Sequence, residues 1–245
     1  ENDHIFCVNR ILHAPGGAET AVATANGLVL FDGAGNPRRT LTKADGLIAD
    51  HVTDVAWRNG GMTIATPAGI TFMDASGTSS IYAFHGLVNN HAYALGTSGT
   101  RTLVGTLGGA SMLDGNVITA NFTTANSGLK HNWITAVTRA GDDWYVGTYG
   151  AGVLKLDPLG HWSTFPDWKG STEINANAMA VTPSAIYAGT LGGGLAIYIR
   201  SAGRWRFQLD GLPSSNVTAI EASGGNIYIG TENGLVRVPE ANLVQ

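Results

Sequence analysis

The chain has 245 residues, with 14 Lys+Arg against 18 Asp+Glu for a net charge of −4. Only 13% of residues are charged, about half the ~25% of an ordinary globular protein. No basic stripe could displace counterions from phosphates, which excludes nucleic acid as a partner. No run approaches the ~20 apolar residues of a membrane helix, which excludes membrane insertion by this chain. The hydrophobic share of 44% argues against disorder.

Thirty-four glycines are twice the usual ~7%, so the chain is rich in turns and poor in long helices. Cys7 is the sole cysteine, which rules out an internal disulfide framework and a zinc-thiolate cluster. The chain begins at Glu1 with neither an initiator Met nor a signal peptide, as a mature exported form or an excised fragment would.

Self-similarity organises the rest. A small residue followed by Thr recurs as Ala23-Thr24, Ala65-Thr66, Gly105-Thr106, Gly147-Thr148, Gly189-Thr190 and Gly230-Thr231, with the threonines 42, 40, 42, 42 and 41 residues apart. This gives six units, at about residues 1–45, 46–85, 86–127, 128–170, 171–210 and 211–245.

The first unit opens on a strand over 5–12. The second shows four strand-like segments, over 52–57, 62–66, 70–74 and 80–84. These are separated by Asn59-Gly60-Gly61, Pro67-Ala68-Gly69 and Ser76-Gly77. Later units repeat the scheme in Val-, Ile-, Thr- and Tyr-rich segments, with no apolar period of 3.6. The last unit ends in 235–238 and a short tail, 241–245, the one candidate for its outer strand.

Four antiparallel strands per 40–42 residues predict an all-β, six-bladed β-propeller forming a single domain over 1–245. A small residue before each marker Thr suits blades that taper. The Thr hydroxyl is expected to bond the backbone of the turn after it.

Gly211-Leu-Pro-Ser-Ser-Asn-Val-Thr-Ala-Ile, followed by Ile227-Tyr-Ile-Gly-Thr-Glu-Asn-Gly-Leu, resembles the two-component regulator propeller repeat, and the unit over 128–157 is similarly close. The resemblance covers essentially the whole chain. It departs from the family where Thr63, Leu103, Tyr187 and Tyr228 stand in the region that commonly holds Trp; Trp144 keeps it. The resemblance implies a periplasmic or extracellular sensing module that binds saccharides or other ligands.

No Walker loop, Gly-x-Ser-x-Gly elbow or His-Glu-x-x-His occurs. One constellation stands out. Aligning the units on a first-strand residue (Ile5, Val52, Ala92, Ile134, Ala178, Val217) puts His4, His51, His91, Trp133, Asn177 and Asn216 just before it. One step earlier stand Asp3, Asp50, Asn90, Asn132, Ala176 and Ser215. In a propeller these positions would rim one mouth of the tunnel.

Three readings are open. His4, His51 and His91 could hold a divalent metal, the one cofactor these residues suggest. The whole set could contact a small polar ligand. Or polar side chains there could serve the turn backbone. Cys7 reads as a buried thiol in the first strand. Glu173 and Trp168 fall in a longer connection that could overhang the rim. The matching functions are a non-catalytic recognition module for a small polar ligand or a protein partner, a lyase or hydrolase with a histidine-held metal, and a protein-interaction scaffold.

Overall fold

The computed structural model describes residues 7–58, 60–168 and 172–245. Six antiparallel sheets follow one another along the chain and are the blades of a six-bladed β-propeller. Blade 1 holds β1 (Val8–His13), β2 (Glu19–Thr24), β3 (Gly27–Asp32) and β4 (Pro37–Leu41). Blade 2 holds β5 (Asp54–Arg58), β6 (Gly61–Thr66), β7 (Gly69–Asp74) and β8 (Gly77–Ile81). Blade 3 holds β9 (Ala92–Ser98), β10 (Arg101–Thr106), β11 (Gly109–Asp114) and β12 (Val117–Phe122).

Blade 4 holds β13 (Ile134–Ala140), β14 (Asp143–Thr148), β15 (Val153–Leu156) and β16 (Trp162–Ser163). Blade 5 holds β17 (Ile174–Val181), β18 (Ala185–Thr190), β19 (Leu195–Ile199) and β20 (Arg204–Gln208). Blade 6 holds β21 (Val217–Ser223), β22 (Asn226–Thr231) and β23 (Gly234–Pro239). The chain forms two compact units, residues 1–122 and 123–245, of three blades each.

The marker threonines do what their position predicts. Thr24, Thr66, Thr106, Thr148, Thr190 and Thr231 each donate from Oγ1 to the carbonyl of the glycine that starts or immediately precedes the next strand, at 2.7–2.9 Å. In blades 4 and 5 the glycine before the Thr is a packing requirement. A Cβ on Gly147 would lie 2.7 Å from Ile174 Cγ2, and one on Gly189 would lie 2.5 Å from the Val217 carbonyl oxygen.

Blades join through a repeated apolar pair. The apolar residue after the third-strand glycine shares a buried cluster with the apolar residue that opens the following blade: Leu28 and Val52 lie in one cluster, Ile70 and Ala92 in a second, Val153 and Ile174 in a third, Leu195 and Val217 in a fourth. All eight are at most 1% exposed. The Gly-Leu step between blades buries its leucine: Leu47, Leu87 and Leu129 are within the core.

Two details differ from the sequence reading. The tail is not an outer strand: Glu240–Asn242 form a 3-10 turn, and Leu243 is buried in the cluster shared by blades 5 and 6. Arg206 holds that turn by donating to the Leu243 carbonyl at 2.6 Å, and Tyr187 and Thr182 donate to Glu240 Oε1, Tyr187 at 3.0 Å. The strand read over 80–84 also ends early: its last residues, 83 and 84, belong to a 3-10 turn over Ala83–His85.

Candidate functional site

The residue just before each first strand is the lead residue of its blade. The backbone identifies it without reference to side chains, because the residue after the marker Thr donates its N–H to the lead carbonyl. Ala25 donates to Cys7, Leu107 to His91, Tyr149 to Trp133, Leu191 to Glu173 and Glu232 to Asn216. In blade 2 the donor position is Pro67, which has no N–H, and His51 is the lead residue by its place before Val52.

This corrects the sequence alignment in two blades. The lead residue of blade 1 is Cys7, and that of blade 5 is Glu173 rather than Asn177. His4 lies outside the described residues. Asn177 falls inside a bulge of β17, between the Ile174–Thr190 and Met179–Ala188 pairs, with φ of 55°. Cys7 is exposed, not buried.

The residues two places after the lead explain the register. Asn9 donates from Nδ2 to the Val52 carbonyl at 2.7 Å, Thr53 from Oγ1 to the Ala92 carbonyl at 2.7 Å, and Asn175 from Nδ2 to the Val217 carbonyl at 2.6 Å. Each bond ties a blade to the first carbonyl of the next. The two asparagines also meet the following lead side chain: Asn9 Nδ2 is 3.2 Å from His51 Nε2, and Asn175 Nδ2 is 2.9 Å from Asn216 Oδ1. Since the amide nitrogen donates, His51 accepts at Nε2. Composition gave no hint of these clamps. The signal was a triplet, lead–apolar–Asn/Thr, seen in Cys7-Val8-Asn9, His51-Val52-Thr53, Trp133-Ile134-Thr135, Glu173-Ile174-Asn175 and Asn216-Val217-Thr218.

Residues one and two places before the lead are structural. Asp50, Asn90 and Asn132 accept from the backbone N–H groups of Lys43, Ala83 and Thr124 at 2.6–2.8 Å, fixing the connection between blades. Asn89, His131 and Ser214 accept from the N–H of His91, Trp133 and Asn216.

Among the lead residues of unit 1, His91 stacks on Tyr93 with ring centroids 4.4 Å apart and planes at 9°. Burial, and then the nearby His51, hold the His91 imidazole below its usual pKa. No group of three His, Cys, Asp or Glu able to hold a metal occurs among the described residues.

Deeper in unit 1, Asp54 of β5 is buried. It accepts from Leu95 N–H of blade 3 at 2.7 Å and from Val55 N–H at 2.8 Å, with Arg10 of blade 1 at 3.6 Å. Burial pushes its carboxyl up to about 6, against the pull of Arg10 and the two N–H donors.

Unit 2 places an aromatic pair and an acid with a buried carboxylate oxygen at successive lead positions. Trp133 stacks on Tyr149 with centroids 4.1 Å apart and planes at 11°. Tyr149 is 40% exposed, so the pair offers an aromatic surface at the lead of blade 4. The next lead is Glu173, whose Oε2 is buried with no hydrogen-bond partner among the described residues. The next is Asn216, oriented by Asn175. Trp168, expected to overhang the rim, instead packs on Gly152, where a Cβ would lie 2.0 Å from its Nε1, and against Trp205 and Phe207.

No family model matches the chain, and no curated protein matches it. Solved structures do. The chain is similar to the extracellular domain of a protein described as a hybrid two-component system, BT3049 from B. thetaiotaomicron, at 18% identity and a TM-score of 0.78, covering 97% of this chain and 34% of that one. It is similar to the corresponding domain of BT4673 from the same organism at 18% identity and a TM-score of 0.68, covering 94% of this chain. The chain spans 38% of the length of that domain. It is also similar to virginiamycin B lyase from Staphylococcus aureus at 12% identity and a TM-score of 0.72, covering 97% of this chain and 85% of that one. At these identities the likeness is one of fold, and that fold is the β-propeller predicted from the repeat.

Proposed function

We propose that this chain is a non-catalytic recognition module of an extracytoplasmic sensor, binding a small polar ligand of the saccharide class at the lead residues of blades 4 to 6. The observation that carries this is the Trp133–Tyr149 stack beside a lead position whose Glu173 carboxylate oxygen has no donor among the described residues. A sugar supplies both complements. Its C–H face covers an aromatic ring, and its hydroxyls donate to a carboxylate and to amide oxygens. Trp133, Glu173 and Asn216 are the contact residues. His51 and Asn177 are positioned by the blade clamps and the β17 bulge, away from that role. The extracellular location of the sensor domains with this fold, and the resemblance of the repeat, support a periplasmic or extracellular setting.

The test is a glycan array followed by calorimetric titration of any hit. Expected is one saccharide class bound in the micromolar to millimolar range, with Trp133→Ala and Glu173→Gln each weakening it by about tenfold or more. Binding that both variants leave unchanged, or no saccharide binding at ~10 mM by a folded chain, overturns the reading.

A further inference from the structure

Unit 1 carries a cavity of about 180 Å³ between blades 2 and 3, at the hairpin ends opposite the marker threonines. Met62, Phe72 and Met73 give it an apolar wall, and Arg58, Asp74 and Asn116 a polar one. The Arg58 guanidinium is held from two sides. Its Cζ lies 5.3 Å from the centre of the Phe72 ring. Its Nη1 donates to Asn116 Oδ1 at 2.8 Å and lies 3.5 Å from Thr63 Oγ1. Its Nε and Nη2, an edge that can fork onto a carboxylate, have no hydrogen-bond partner among the described residues. Arg58 also forms no ion pair among the described residues, although Asp74 lines the same cavity. Asp74 accepts from the Ser76 hydroxyl and from the Ser76 N–H, the latter at 2.7 Å. These bonds, with a smaller pull from Arg58, hold its carboxyl below the ordinary value, so it is charged at neutral pH.

We propose that this cavity binds a small zwitterion of the amino-acid class, with its carboxylate on Arg58 and its ammonium on Asp74. The ligand class follows from the two charges that line one cavity without pairing. A simple carboxylate would gain Arg58 but meet repulsion from Asp74, and a simple amine would meet the reverse. A molecule carrying both charges satisfies both walls, and the Phe72 and methionine side is left for an apolar side chain. The cavity is smaller than the ~300–1,000 Å³ that drug-sized ligands occupy, which limits the occupant to a few heavy atoms. This site shares no residue with the saccharide contacts proposed at the leads of blades 4 to 6.

The test titrates the full chain, labelled with nitrogen-15, with each standard free amino acid and then with the des-amino and decarboxylated counterparts of any hit. Expected are saturable shifts at the Thr100 and Asn116 amides with at least one amino acid, at a Kd in the ~1 μM to ~1 mM range. Both single-charge counterparts should bind at least about tenfold more weakly, and Arg58→Gln should weaken the amino acid by at least about tenfold. Arg58 also ties blade 2 to blade 3, so a second variant is needed that leaves this tie in place. Asp74→Asn keeps an oxygen for Ser76 and should remove the preference for the amino acid over its des-amino counterpart. No shift with any amino acid at ~10 mM by the folded chain overturns the proposal. So does a des-amino counterpart that binds the parent chain as tightly as the amino acid, or an Asp74→Asn chain that keeps the parent preference.

Discussion

The Asn175 side-chain amide lies 2.6 Å from the Val217 carbonyl oxygen, one blade away and 42 residues on in sequence. Asn9 makes the same bond to Val52, and Thr53 makes it to Ala92 with a hydroxyl. Thr135 occupies the equivalent place in blade 4, but its Oγ1 is buried with no hydrogen-bond partner among the described residues.

This contrast predicts opposite outcomes for one substitution at two sites. Thr53→Val leaves a buried carbonyl without its donor and should cost about 1–3 kcal/mol. Thr135→Val replaces an unbonded buried hydroxyl with a methyl group and should be neutral or stabilising by up to ~1 kcal/mol. Urea denaturation of the two variants reads the difference. Equal costs at both sites would mean that the clamp contributes nothing.

Asp54 sets a pH dependence. Its folded carboxyl is raised to about 6 by burial, above its value in the unfolded chain, so the folded state holds the proton more tightly. The stabilisation is complete below the unfolded pKa of ~3.9 and is lost as pH rises through about 6. The span corresponds to roughly 3 kcal/mol. Asp54→Asn, which cannot titrate, should flatten the stability profile between pH 4 and 7 relative to the parent chain. Parallel profiles for the two would show that Arg10 compensates the buried carboxylate fully.

The C-terminal turn anchors blade 6 to blade 5. Leu243 is 5% exposed in their shared cluster, and truncating it to Ala should cost about 2–4 kcal/mol. Glu240→Ala removes the acceptor of the Tyr187 and Thr182 hydroxyls and should cost about 1–3 kcal/mol. Amide exchange should then accelerate first in β21 to β23. Acceleration confined to blades 1 to 3 would contradict this placement.

Much of this was legible in the residues. The Thr repeat located the hairpin between the second and third strands of every blade, because each hydroxyl serves a turn that the neighbouring glycine makes possible, and both belong to one short segment. The lead residues of blades 2, 3, 4 and 6 were also legible, since their first strands start 14 residues before the marker Thr. In blades 1 and 5 the interval is 16 residues, and the alignment on Ile5 and Ala178 put His4 and Asn177 in the lead place instead. A longer hairpin absorbs the difference in blade 1 and a bulge absorbs it in blade 5. Both are local adjustments of backbone that leave hydrophobic alternation intact, so periodicity cannot detect them. The clamps were invisible for another reason: Asn9 and Asn175 act on a neighbour some forty residues away, and nothing near them in sequence indicates the partner.

The bulge in β17 has a wider meaning. Between its Ile174–Thr190 and Met179–Ala188 pairs, one strand advances five residues while the other advances two, yet the lead carbonyl, the clamp and the core pair all keep their places. Blade 5 thus accommodates extra length at the start of its first strand while its framework stays fixed. An insertion at this one point can therefore be absorbed without changing how blade 5 packs on blades 4 and 6.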